Sequence, residues 1–155
     1  MQAVLQRVNK ASVSVDGEVK GRCQKGLFIL LGVFEGDTEE DARLLAEKIA
    51  KLRIFEDENG KMNRSIVDVG GSALVISQFT LCANYAHGNR PDFLSAAKPD
   101  LAKPLYEYFS SLLRTLIPAG VENGVFGADM QIEAHCDGPV TIVMDSGKLK
   151  KSPKN

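Results

Sequence analysis

The chain is poor in the side chains from which metal sites and nucleophilic catalysis are usually assembled. Histidine occurs only at His87 and His135, and cysteine only at Cys23, Cys82 and Cys136. No Cys-x-x-Cys or His-x-x-x-His spacing exists, so no metal site is expected. His135 and Cys136 are neighbours, and on a strand adjacent side chains point to opposite faces, which makes them a poor dyad. There is no Gly-x-Ser-x-Gly elbow, and Gly70-Gly71 lacks the Lys-Ser/Thr ending of a phosphate-binding loop. Three thiols cannot all pair, and Arg7 and Lys10 interrupt any apolar run at the start, so a reducing, cytoplasmic compartment is expected. The longest apolar stretch, Leu27 to Phe34, is eight residues, far short of the roughly 20 that a membrane helix needs.

Positive charge is also scarce where it would matter for gripping long nucleic acid. All 20 acids lie at or before Asp145, and residues 1–146 carry 15 basic groups, a net of −5. Lys148, Lys150, Lys151 and Lys154 follow. A body of this sign has no broad basic footprint, so any contact with RNA is local, to one end of a molecule. Residues 147–155 read as a Lys-rich, solvated tail, with an RNA-touching arm as the other reading.

What is present suits one α/β domain over residues 1–146. Apolar residues make up 44% and charged ones 25%, enough for a core without staples. Ser12-Val13-Ser14-Val15 alternates with period two, and Asp16-Gly17 supplies a hairpin turn. Leu27 to Phe34 suits a strand buried on both faces. Asp37, answered by Glu40, caps a helix whose apolar side is Leu45, Ile49 and Leu52. Ala73 to Leu81 reads as a second apolar strand, ending in polar Ser77-Gln78-Phe79-Thr80. Leu105, Tyr108, Phe109, Leu112, Leu113 and Leu116 mark a second helix, with Pro104 in its first turn. Two closing strands, Asp129 to His135 and Val140 to Asp145, flank Cys136 to Pro139. Taken alone, these features stop at an α/β domain with a mixed sheet.

A series of short motifs goes further. Arg7-Val8, Ala11-Ser12-Val13, Leu31-Gly32-Val33, Leu52-Arg53-Ile54-Phe55, Gly60-Lys61-Met62-Asn63, Ser77-Gln78-Phe79-Thr80-Leu81, Arg90-Pro91, Phe126-Gly127-Ala128-Asp129-Met130 and Gly138-Pro139-Val140-Thr141 occur in this order. Together they resemble the D-aminoacyl-tRNA deacylase family over nearly the whole chain. The resemblance implies a homodimer of three-layer α/β/β subunits that cuts the ester between a D-amino acid, or mischarged glycine, and the acceptor end of tRNA. No cofactor is implied. Backbone N–H groups around Gln78-Phe79 are similar to the family's oxyanion site. Thr80 is either a nucleophile or a positioning hydroxyl, and only the second needs no base. The family's catalysis is read as largely assisted by the 2′-hydroxyl of the terminal adenosine.

The resemblance further implies that Gly138-Pro139 is cis and enters the partner's site, where its carbonyls exclude L side chains. Arg7 resembles the residue that holds this segment. Phe126 and Met130 resemble the lining of an adenosine pocket, with core packing as the other reading. One position departs from the family. Asparagine usually precedes Asp-Gly-Pro, whereas this chain has Cys136, and a thiol braces a turn weakly. Selectivity is expected to survive because Arg7 and Pro139 remain. Two other readings stay open: a sibling deacylase that admits some L-amino acids, and a non-catalytic nucleic-acid-binding dimer.

Overall fold

The computed structural model describes residues 1–150. Period-two alternation opens the chain as β1 (Gln2–Val15), and the Asp16-Gly17 turn returns it as antiparallel β2 (Glu18–Cys23). β3 (Gly26–Gly32) pairs antiparallel with the first half of β1. α1 (Glu39–Lys51) leads to a small hairpin of β4 (Phe55–Glu56) and β5 (Met62–Arg64). β6 (Ser72–Ser77) runs parallel to β3, a 3-10 turn follows (Phe79–Cys82), and α2 (Pro99–Leu116) crosses over to β7 (Val121–Asn123), parallel to β6. β8 (Gln131–Asp145) then lies antiparallel along β1. The result is one mixed six-stranded sheet with two helices, as expected for an α/β domain.

The run in β3 is apolar throughout because both of its faces are covered. Leu27, Ile29 and Leu31 join Ala73 and Val75 of β6 under Leu45 and Ile49 of α1 and Leu105, Phe109 and Leu113 of α2. Alternate residues, Phe28 on β3 and Leu74 and Ile76 on β6, face the other way. There they pack with Val8, Ala11 and Val13 of β1 and Cys23 of β2 in a second core. The far half of β1, with β2, therefore folds over the parallel strands, and Glu122 of β7 accepts from the Arg22 N–H of β2 at 3.2 Å. No helix among the described residues is long and apolar enough to cross a membrane.

Four expectations change in detail. The helix cap is one residue later: Asp41, not Glu40, reaches back, its Oδ2 accepting from the Thr38 N–H at 2.9 Å. Asp37 is diverted to accept from the Phe34 N–H at 2.7 Å and the Met1 ammonium at 2.8 Å. Pro104 sits past the first turn, because Pro99 starts α2 five residues earlier. Its missing N–H leaves the Asp100 carbonyl without its helical donor on an exposed surface, where water can serve. The two closing strands are one: β8 continues through Asp137-Gly138 by irregularities opposite Val8 and Lys10, so no hairpin forms there.

Finally, residues 147–150 are folded, against the expectation of a solvated tail from Gly147. Ser146–Leu149 form a 3-10 turn, and Leu149 packs on the main core. Ser146 Oγ accepts from the Met1 ammonium at 3.0 Å and donates to Asp41 Oδ1 at 2.7 Å, and Lys150 Nζ lies 3.0 Å from the same oxygen. Burial acts to raise the Asp41 pKa, but hydrogen bonds from Ser146, the Thr38 backbone and Lys150 outweigh it and bring it to about 2. The rest of that tail, 151–155, lies outside the described residues.

Candidate active site

The carboxyl ends of parallel strands are where open α/β sheets bind ligands, and here all three parallel strands lead into one cavity. Val33 follows β3, Ile76 and Ser77 end β6 with Gln78 and Phe79 beyond, and Phe126 and Met130 follow β7. Ala97, Lys98 and Pro99 at the start of α2 close another side. The cavity is about 570 Å³, the size of a small-molecule site. Its walls are mostly apolar, with Ser77, Gln78 and Lys98 as polar exceptions, and none of its lining residues is histidine or cysteine.

The structure thus brings together Ser77, Gln78, Phe79, Phe126 and Met130. Phe126 and Met130 share two settings. They line the cavity while packing on the cores, Phe126 against Tyr106 with ring centroids 6.0 Å apart. The sequence reading missed Phe93, Ala96, Ala97 and Lys98. Phe93 meets Phe79 edge to face, centroids 5.1 Å apart at 75°. A lone Phe-and-Ala stretch carries no chemical signal; it arrives through the bridge between Phe34 and Ala96 and the Ala97 N–H bond to the Val33 carbonyl.

Donor assignment at the strand end also shifts. The Gln78 N–H is spent on the Leu31 carbonyl at 2.8 Å, extending the β3–β6 ladder by one rung. Phe79 and Thr80 begin the 3-10 turn, and among the described residues no backbone carbonyl accepts from their N–H groups, as in any first helical turn. Behind them stands Gly32, where an added Cβ would come within 2.9 Å of the Leu81 Cβ and 3.2 Å of the Gln78 carbonyl oxygen. The backbone of the turn is therefore seated directly on β3.

Thr80 is exposed and outside the cavity lining, and its hydroxyl accepts from the Gln78 side-chain amide. Among the described residues no side chain able to act as its base is bonded to it. Nor do the buried thiols offer a nucleophile. Burial pushes Cys23 up to about 11 and raises Cys82, whose Sγ lies 3.5 Å from the Val33 carbonyl oxygen. High thiol pKa values mean little thiolate.

Arg7, Gly138 and Pro139 form a separate group. Gly138-Pro139 is cis, and both residues are exposed. Gly138 and Pro139 stand six and seven residues beyond Ile132, past the irregularity in β8, and neither lines the cavity. Arg7 is only 5% exposed. Its Nη1 donates to the Ile54 carbonyl at 2.9 Å. Its Nε lies 3.2 Å from Asp137 Oδ2 but makes no aligned hydrogen bond, so that contact is Coulombic. Glu56 is a looser partner at 3.8 Å. At Gly138 φ is +127°, and a Cβ would come within 2.8 Å of the Val140 nitrogen and 3.3 Å of Arg7 Nη2, so only glycine fits. Cys136 is exposed and paired in register with Val8, and among the described residues its thiol makes no hydrogen bond.

Comparison with known proteins points one way. A family model described as D-Tyr-tRNA(Tyr) deacylase matches residues 4–145. A D-aminoacyl-tRNA deacylase from Chloroflexus aurantiacus is 57% identical over 151 residues, covering 97% of this chain and 93% of that protein. One from Thermus aquaticus is 55% identical over 148 residues, covering 96% and 97%. Among solved structures, one described as c-Myc DNA Unwinding Element Binding Protein superposes with a TM-score of 0.87 at 40% identity, covering 99% of this chain and 100% of that one. A probable eukaryotic D-amino acid tRNA deacylase superposes with a TM-score of 0.81 at 16% identity, covering 93% and 98%, a likeness of fold alone. With its motifs, its fold and these relatives in agreement, the chain belongs to the D-aminoacyl-tRNA deacylase family.

Proposed function

We propose that the protein hydrolyses the ester joining a D-amino acid, or mischarged glycine, to the terminal ribose of tRNA, as a cytoplasmic editing enzyme. The observation that carries this reading is a cavity lined by Phe79, whose backbone N–H and that of the next residue, Thr80, are uncommitted, with no nucleophile–base pair in the lining. An activated ester needs little more: a placed water and stabilisation of the oxyanion that forms on its carbonyl. The Phe79 and Thr80 N–H groups supply that stabilisation. Water attacks the carbonyl carbon, its C–O bond forms, and the bond to the ribose oxygen breaks; one water proton passes to the departing ribose oxygen and the other to solvent, leaving the free amino-acid carboxylate and the tRNA hydroxyl. The neighbouring 2′-hydroxyl of the terminal adenosine orients the water, and Phe126 and Met130 flank the adenosine. Thr80 positions its neighbours through Gln78 and takes no covalent part.

Selection by handedness belongs to the partner in a homodimer of three-layer subunits. Gly138 and Pro139 line no part of their own cavity, and they lie on an exposed edge strand on which Val143 is 69% exposed. Placed at the partner's cavity, their carbonyls occupy the space that an L side chain would need, while D side chains and glycine pass. Discrimination by obstruction of the wrong substrate requires no contact with the right one.

The test compares release of D-tyrosine, L-tyrosine and glycine from matched tRNAs. Release of the first and third but not the second is expected. Ready release of L-tyrosine instead supports a sibling enzyme of looser handedness. RNA or DNA binding without any release supports a non-catalytic binding protein, a reading kept in view by the described role of the 40% identical neighbour.

A further inference from the structure

We infer that the loop between Asn84 and Asp92 grips the unpaired nucleotides leading to the terminal adenosine, with Tyr85 as a stacking platform and Arg90 as a phosphate contact. This inference rests on the deacylase reading. If the terminal adenosine occupies the cavity, the strand attached to it must leave through the mouth. Phe79 and Phe93 stand at that mouth with rings in contact, and the loop springs from the residue just before Phe93.

The loop is held at its base rather than left free. The Asn84 N–H donates to the Asp92 carbonyl at 2.8 Å, and the Asp92 N–H returns to the Asn84 carbonyl at 2.9 Å. Asn84 Oδ1 also accepts from the Ala86 N–H at 3.1 Å, and Asp92 Oδ1 from the Leu94 N–H at 3.2 Å. Those bonds fix where the excursion starts and ends, while every residue from 85 to 91 is exposed. Tyr85 is 79% exposed, an unusual outlay of aromatic surface for a side chain with no packing role.

Charge points to the same occupant. Residues 85–91 contain no acid, and Arg90 makes no ion pair among the described residues. Lys98 adds a second cation in the cavity wall. Asp92 and Asp100 stand two residues from these cations, but Asp92 is turned back onto the Leu94 N–H at the base of the loop, which leaves Arg90 as the charge on the excursion itself. Aromatic faces interleaved with cations are how proteins hold single-stranded nucleic acid without reading its sequence.

The experiment uses two esters, D-tyrosyl-tRNA and D-tyrosyl-adenosine, which keeps the reacting end and removes the strand. Tyr85→Ala should lower kcat/KM on the tRNA ester about tenfold, through KM, because one stacked base is lost. Tyr85→Phe should retain most of the activity, since the ring face remains. Arg90→Gln should weaken tRNA binding and reduce the slope of log K against log salt by about 1. None of these changes should move cleavage of the adenosine ester. An unmoved KM for tRNA overturns the inference, as does an equal loss on both esters or a change in subunit association measured by sedimentation. If the unaltered protein cuts neither ester, the deacylase reading itself fails and takes this inference with it; normal cleavage with an unmoved KM sinks the loop alone.

Discussion

The strand end at Ser77–Thr80 and the segment at Asp137–Pro139 are both short breaks in β structure, but they are held in different ways. The first is fixed from several sides. Its Gln78 N–H continues the ladder on Leu31, its Gln78 amide holds Thr80, and Gly32 lets the turn rest on β3. The second is exposed on its outer side and held from beneath by one buried guanidinium. The difference follows from the tasks proposed for them. Donors that stabilise a forming charge lose most of their value when displaced by a fraction of an ångström. A surface that only blocks a side chain must be rigid and in the way, and one buried charge beneath it, aided by the pairing of β8 with β1, can provide that.

Four substitutions probe the contrast. The largest effect is expected from Gly32→Ala, whose Cβ would push against Leu81 and the Gln78 carbonyl. Displacing the Phe79 and Thr80 donors should cost about 10²–10³ in kcat on D-aminoacyl-tRNA, with the D-to-L preference unchanged. A fall in preference instead would mean that the two regions are not separable. Next is Arg7→Ala, which strips the Ile54 carbonyl of its donor and frees Asp137. Denaturant melts should show a loss of about 2 kcal/mol, and released L-tyrosine should become measurable while D-tyrosine release is largely kept. If D and L release fall in parallel, the brace serves the catalytic region as well.

Thr80→Ala should change kcat by no more than about tenfold, the worth of one exposed hydrogen bond. Turnover abolished by this change, with an ester lacking the 2′-hydroxyl still cleaved by the unaltered protein, would make Thr80 the chemical group. The smallest effect is expected from Cys136→Asn, within about 0.5 kcal/mol in stability because the site is exposed. A marked drop in residual L-tyrosine release would instead show that the turn, not Arg7, limits stringency.

Much of this was legible in the chain. The unbroken apolar run at 27–34 announced a strand covered on both faces, and Leu45 and Ile49 announced the buried side of α1, because periodicity reports burial directly. The gathering of Ser77, Gln78, Phe79, Phe126 and Met130 followed from the family's motifs rather than from any spacing. What stayed hidden depended on pairings between distant segments. Whether the Gln78 N–H is free is decided by Leu31, some 47 positions earlier. Whether Asp137-Gly138 turns back or runs on is decided by the irregularities of β1 opposite it. The cap on α1 moved by one residue because Met1, brought in by the sheet, claims Asp37.

The continuity of β8 has a further consequence. One strand carries Ile132 at its own cavity and Gly138-Pro139 at its middle, for the proposed partner. Each complete site is then drawn from two chains, and two differently damaged chains can repair each other. Mixing a Gly32→Ala subunit with an Arg7→Ala subunit would give pairs in which one site carries both injuries and the other carries neither. The mixed pair, isolated from both homodimers, would then contain one site with rapid and strictly D-selective turnover, although neither parent possesses such a site.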